Sequence, residues 1–185
     1  MRLKKLTWEN HRRAERSWFA KYMFSGDISR QDYSCYLKQQ YLCYKALEDK
    51  FNSLESEIYF PDSRLKRAES IYQDLLELCH NSDQIPVFQS TENYIHYILH
   101  ECPEDLLYAH VYVRYLGDLK GGQMIAKKVP GSGKYYQFEE PDKLEMKIRA
   151  KLRDDDVFIE EANKCFIYAN DLFVRMQEHL QYGKK

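Results

Sequence analysis

The stretch Tyr112-Val113-Arg114-Tyr115-Leu116-Gly117-Asp118-Leu119-Lys120-Gly121-Gly122-Gln123 decides how this chain folds. Residues 105–113 before its centre and 123–128 after it both read as helix, so one helix is predicted over 104–128. Its middle nevertheless carries three glycines and a carboxylate. A glycine inside a helix costs about 1 kcal/mol relative to alanine. A cluster of them marks either a break or a place where backbone must approach something flat and large.

Working outward, the 7 Gly and 5 Pro fall mostly between helical patterns, and no stretch alternates as a strand does. A first helix is expected over 7–24, ended by Ser25-Gly26-Asp27. Ser29 can cap a second, with Asp32 adding negative charge to its first turn. That helix is expected to run to 56, with Tyr33, Tyr36, Leu37, Gln40, Tyr41, Tyr44, Leu47 and Phe51 along one side. Pro61-Asp62-Ser63 opens a third, to about 80, and a short helix over 91–101 stops at Cys102-Pro103. Pro130-Gly131-Ser132-Gly133 is a turn and the candidate mobile loop. Residues 141–153 read as helical, and 155–181 as a long amphipathic helix with Phe158, Ala162, Cys165, Phe166, Ala169, Leu172, Phe173, Met176 and Leu180 on one face. The pattern predicts an all-α bundle, one domain over 1–185 with an ordered core at about 4–181.

At 185 residues the chain can bury a sizeable core, and its 44% hydrophobic and 31% charged residues are ordinary for a soluble globular protein. The 16 Tyr and 9 Phe imply an aromatic core, or aromatic walls for a planar ligand. A net charge of −1 argues against a nucleic-acid partner. Basic clusters at Arg2, Lys4 and Lys5, at Arg12, Arg13 and Arg16, and at Lys143, Lys147, Arg149, Lys151 and Arg153 read first as solvated helix faces. Five cysteines, odd in number and without C-x-x-C spacing, in a chain showing no signal peptide, fit reduced thiols in the cytoplasm. No run of 18 apolar residues occurs, so no membrane span is expected.

Six histidines are available: His11, His80, His96, His100, His110 and His179. A lone histidine on a helix is more often a surface or core residue than a ligand. His96 and His100 are spaced to hold one metal from a helix face, but no second carboxylate pair completes a site. His11 and Glu15 also lie one turn apart. An aspartate at 118, unfavourable inside a helix, faces either a site or solvent at a kink.

From Leu106 to Gln123 the sequence closely resembles the signature of the heme oxygenases. His11-Arg12-Arg13-Ala14-Glu15 resembles the start of that family's proximal helix, and Tyr44-Lys45-Ala46-Leu47-Glu48, Tyr59-Phe60-Pro61 and Glu160-Glu161-Ala162-Asn163 are further matches. The similarity runs from Lys4 to about Leu172. It implies a heme sandwiched between a proximal helix and a glycine-kinked distal helix. Heme would be both substrate and cofactor, opened at the α-meso carbon to biliverdin, carbon monoxide and ferrous iron. Dioxygen would be consumed, and electrons would come from an external donor because no flavin or nicotinamide fingerprint is present; for a soluble single-domain member of that family, ferredoxin is the expected donor. A bilin reductase downstream is a further candidate partner. The chain ends Tyr182-Gly183-Lys184-Lys185, without the hydrophobic tail of membrane-bound relatives, which suggests the soluble, cytoplasmic type.

The same resemblance assigns roles. His11 would be the axial iron ligand, with Glu15 near its other ring nitrogen. Asp118 would hold distal water that delivers a proton, a network extended by Arg114 and Tyr44. Gly117 and Gly121 would touch the porphyrin face, and Gly122 would lend flexibility. Lys4, Tyr112 and Arg149 would hold the propionates. The family's lysine four residues before that arginine falls here on Glu145, so Lys147 or Lys143 is the expected substitute. Phe166 would form a wall, Val113 replaces a common threonine, and His100 and His110 would pack and hydrogen-bond. Two other classes remain open. One is a non-catalytic heme carrier or sensor, which has no need of Asp118 among glycines. The other is a thiaminase-like or non-heme di-iron relative, for which Cys165 and the His96/His100 pair are the residues available.

Overall fold

The computed structural model describes residues 1–55 and 57–182. Eight α-helices follow in order: α1 (Arg2–Arg16), α2 (Trp18–Ser25), α3 (Arg30–Asn52), α4 (Ala68–Leu78), α5 (Gln89–His96), α6 (Leu107–Ala126), α7 (Pro141–Arg149) and α8 (Asp156–Tyr182). No strand occurs among the described residues. The expected bundle is the one observed.

Its boundaries differ from expectation where tertiary contacts intervene. The first helix begins at Arg2, because Asp154 from the loop before α8 accepts the free backbone N–H groups of Arg2 (2.9 Å) and Leu3 (2.7 Å). It is then broken at Ser17, whose extended ψ of 152° ends α1 while its Oγ accepts from Ala20 N and caps α2. Gly26, at φ 85°, closes α2 as expected, and Ser29 caps α3 through Asp32 N at 3.0 Å. α3 ends at Asn52; the expected end at 56 lies outside the described residues, as do 183–185. The third helix is interrupted: a 3-10 turn at Ser63–Leu65 precedes α4. α5 passes into a π-helical turn, Tyr97–Glu101, before Cys102-Pro103 stops it.

The core is continuous from Leu3 to Met176 and rich in tyrosine, with Tyr33, Tyr44, Tyr94, Tyr115, Tyr135 and Tyr136 fully buried. α3 packs on α4, α8 receives α1, α2 and α6, and α6 also meets α7. The turn at 130–133 is pinned: Ser132 Oγ donates to Glu77, and Asp74 accepts from the backbone N–H groups of Lys134 and Tyr135, both at 2.9 Å. Such bonding holds Tyr135 and Tyr136 against α6 and does not suit the mobile loop expected there.

Candidate functional site

Between α1 and α6, with α8 and part of α3 behind, lies a crevice of about 610 Å³, inside the ~300–1,000 Å³ range of small-molecule sites. It is lined mainly by apolar and aromatic side chains and opens to solvent.

One wall is α1, clamped to α8 through Asn10, the residue before His11. Asn10 Nδ2 donates to Asn163 Oδ1 (2.8 Å), and Asn170 Nδ2 donates to the carbonyl of Asn10 (3.3 Å). The His11 ring stacks on Trp8 (5.6 Å, 14°) and meets the edge of Phe166 (5.8 Å, 84°), so its orientation is fixed by packing. Its Nδ1 is buried and has no hydrogen-bond partner; Glu15 Oε2 stands 3.6 Å off, within ion-pair range but beyond a hydrogen bond. His11 lines the crevice, and Nε2 is the nitrogen left to meet a ligand there.

The facing wall is α6, which stays α-helical through all three glycines. A Cβ added at Gly117 or Gly121 meets nothing within 4 Å, and both residues line the crevice. Their backbone therefore faces open space where any side chain would reduce the gap. Gly122 differs from expectation. A Cβ there would lie 2.6 Å from Tyr136 Cδ1, so this glycine is required by close packing and not by flexibility.

Behind the gap, Asp118 is gripped by two phenols. Tyr44 donates to Oδ2 through a short bond, Tyr135 donates to Oδ1 at 3.3 Å, and the two hydroxyls are 3.2 Å apart. Burial pushes the Asp118 carboxyl up to about 7, against the opposing pull of the Tyr44 and Tyr135 bonds and of Arg114 and Arg67. Burial first, and then the Asp118 charge, raise both phenols, so they remain donors. Arg114 lies over the Tyr94 ring (4.1 Å) and donates from Nη1 to Gln40 Oε1 (3.1 Å), while its Nε is a buried donor with no protein partner. A buried N–H of that kind calls for an ordered water or a ligand.

At the rim, Lys4, Tyr112 and Arg149 line the crevice as expected. Lys4 makes no ion pair among the described residues, and Tyr112 OH sits 3.4 Å from Thr7 Oγ1. The expected substitutes for the missing lysine are elsewhere: Lys147 donates to Asp62 Oδ2 at 2.7 Å, and Lys143 pairs with Glu140. Neither lines the crevice. The further cation found there, unforeseen from the sequence, is Lys120. Sequence reading also missed Tyr135, Tyr136, Trp8 and the bond from Arg114 to Gln40; no local pattern marks them, apart from an aromatic pair directly after the 130–133 turn.

Other candidate chemistry does not assemble. His96 pairs with Glu101 (3.3 Å) on the surface, and no metal-like group among the described residues includes it or His100. Cys102, His110 and Glu161 do offer donor atoms within 4.8 Å of one another. Burial works against both charges of this pair. Even so, hydrogen bonding and charge from His110, with Tyr97 and Lys164, hold Glu161 down to about 2. His110 lies 2.8 Å from that carboxylate and 3.2 Å from the Tyr94 hydroxyl, and despite its burial it is shifted up by the charges of Tyr94 and Cys165 and by bonds to Cys102 and Cys165. An imidazolium has no lone pair for a metal, so this is a buried ion pair. Cys165 lies buried beside it and is no exposed nucleophile.

The protein-family model described as heme oxygenase matches residues 1–175. The chain belongs to the heme oxygenase family. It is 31% identical to heme oxygenase 2 of Rattus norvegicus over 205 residues, covering 95% of this chain and 64% of that protein. It therefore spans just under two thirds of that relative's length. With heme oxygenase 1 of the same animal the identity is 33%, over 95% of this chain and 70% of the relative. Among solved structures it is similar to heme oxygenase-1 from the cyanobacterium Synechocystis sp. PCC6803 in complex with heme. That match has a TM-score of 0.84 and 25% identity, covering 98% of this chain and 93% of the other. The heme oxygenase of Leptospira interrogans gives a TM-score of 0.80 at 27% identity, over 94% and 97%. No helix among the described residues is long and apolar enough to cross a membrane.

Proposed function

We propose that this heme oxygenase family member binds heme in the α1–α6 crevice as substrate and cofactor and cleaves it at the α-meso carbon to biliverdin, carbon monoxide and ferrous iron. The observation that carries this reading is the pair of facing walls: an imidazole with a buried, unpartnered Nδ1 on one side, and two glycines whose missing side chains leave the gap open on the other.

The residues fit an iron porphyrin. His11 would hold the iron, with Glu15 close enough to orient the ring once the imidazole is a ligand. Lys4, Tyr112 and Arg149 would bind the carboxylates and so fix which meso carbon faces Asp118. When bound, heme would supply the redox iron and the carbon framework that is opened. The protein's own part is proton management. Asp118, poised near neutrality, accepts hydrogen bonds from Tyr44 and Tyr135 and can order water on its open side. Arg114 Nε offers a second fixed donor nearby. This polar network beside the glycines supports an enzyme over a carrier, which has no use for it. Electrons come from a partner. A small acidic ferredoxin suits Arg12, Arg13 and Arg16, which lie on α1 next to His11, and a bilin reductase would consume the product, all in the cytoplasm.

Hemin added to the purified protein should give an imidazole-type heme spectrum, and reductant with dioxygen should replace the Soret band with a broad red bilin absorption. His11→Ala should lose the imidazole signature while costing no more than about 1 kcal/mol of thermal stability, since the ring is half-buried in the free protein. Heme that survives reductant and oxygen intact would establish the carrier instead.

A further inference from the structure

Glu145 stands at the rim between two cations. Arg149 Nε donates to its Oε1 at 2.7 Å from one turn on in α7, and Lys120 reaches its Oε2 from α6. Lys120 and Arg149 both line the crevice, and Lys120 sits on the α6 wall between Gly117 and Gly121. The Lys120 and Arg149 side chains are 57% and 51% exposed, whereas Glu145 is only 16% exposed beneath them. The trio thus carries a net positive charge facing the opening, and the carboxylate that holds it together is largely covered.

Donor capacity is left over. An ammonium has three N–H groups and a guanidinium five, and one carboxylate engages few of them. Exposed ion pairs are weak and readily exchanged for another anion. Glu145 stays ionised, because the bond from Lys120, and then that from Arg149, hold it below the ordinary carboxylate range. Its negative charge therefore sits where a ligand carboxylate would also seek Lys120 and Arg149.

We propose that Lys120 is a ligand-binding residue of this crevice, gripping one carboxylate of the bound molecule together with Arg149, and that Glu145 lowers the affinity by competing for both cations. The assignment rests on the porphyrin reading of the crevice. It places a second carboxylate-binding cation on the glycine-bearing helix, so that carboxylate binding also ties α6 to α7 at the mouth.

The test compares iron protoporphyrin IX with its dimethyl ester, which has no free carboxylates, in absorbance titrations of the full chain. Lys120→Gln is expected to weaken binding of the diacid about tenfold and leave the ester unchanged. Glu145→Gln is expected to tighten the diacid several-fold, again without effect on the ester. Lys120 is at the surface and Glu145→Gln keeps the shape of the covered side chain, and a thermal melt verifies that each variant folds. Unchanged diacid affinity in Lys120→Gln, or equal losses for diacid and ester, overturns the role of Lys120. Weaker diacid binding by Glu145→Gln overturns the competition. If the wild-type protein binds neither ligand, the porphyrin reading itself fails, an outcome distinct from a silent Lys120 variant in a protein that binds normally.

Discussion

Asp118 is the residue in which stability and chemistry are most directly linked. Burial raises its pKa to about 7, whereas in the unfolded chain an aspartate titrates near ~3.9. Between those values the folded protein holds the extra proton. The sign follows: the contribution of Asp118 to stability is full below about pH 4 and is lost as pH rises through about 7. Asp118→Asn removes the titration. The stability difference between wild type and variant, from denaturant melts at several pH values, should therefore shift against the wild type from pH 4 to 8. A difference that is flat across that range would refute the raised pKa. In activity, the same substitution should slow bilin formation about 100-fold, the lower end of what a positioned acid or base supplies. Porphyrin affinity should hardly change, since Asp118 lies behind the gap and the rim cations are untouched.

At the scale of an element, α6 makes two opposite demands on glycine. Gly117→Ala and Gly121→Ala put a methyl group into open space, so each should stabilise the free protein by up to about 1 kcal/mol through helix propensity. Each should also weaken porphyrin binding, because that space is the ligand's. Gly122→Ala drives a Cβ into the Tyr136 ring, which is buried and stacks on Tyr135 at 4.1 Å. It should cost about 1–3 kcal/mol, as overpacking does, and disturb Asp118 through Tyr135. Thermal melts and porphyrin titrations of the three variants test the split: a uniform response would mean the glycines share one role. The sequence set Gly122 apart as a point of flexibility and could not show its packing role, since Tyr136 reaches it across a turn anchored by Asp74. Helix ends set by local chemistry, such as Ser29, Gly26 and Cys102-Pro103, were legible. The break at Ser17 was not, because helical side-chain patterning continues on both sides of it and only the backbone turn shows the cap. In the site, His11, Asp118, Tyr44 and Arg114 were legible from their resemblance to a family, and all four line the crevice. Lys147 was misplaced and Lys120 missed because ion-pair partners distant in sequence, Asp62 in a loop and Glu145 on α7, decide where each cation goes.

For the whole molecule, the critical join is between α6 and α8, since α8 carries α1 with His11 while α6 carries the glycines and Asp118. Buried in that join, His110 of α6 and Glu161 of α8 meet at 2.8 Å, with the Glu161 side chain 4% exposed. Tyr97 donates to both of its oxygens, and Lys164 completes the set. A buried pair of this kind adds little compared with a well-packed apolar alternative, but removing one partner strands the other charge at about 3–5 kcal/mol. His110→Ala should therefore destabilise the fold by several kcal/mol, read as a lower urea midpoint with an unchanged slope. Glu161→Gln, which keeps the shape and one acceptor, should cost less. The pair also fixes a pH window. With Glu161 held near 2 against about 4.3 in the unfolded chain, its contribution is present above that higher value and is lost as pH falls toward 2. Wild type and Glu161→Gln should therefore converge in stability between about pH 4.5 and 2. If His110→Ala instead melts within 0.5 kcal/mol of wild type, the junction is held by apolar packing alone, and the distance between the crevice walls must be set by Phe158, Ala162 and Cys165 on the buried face of α8.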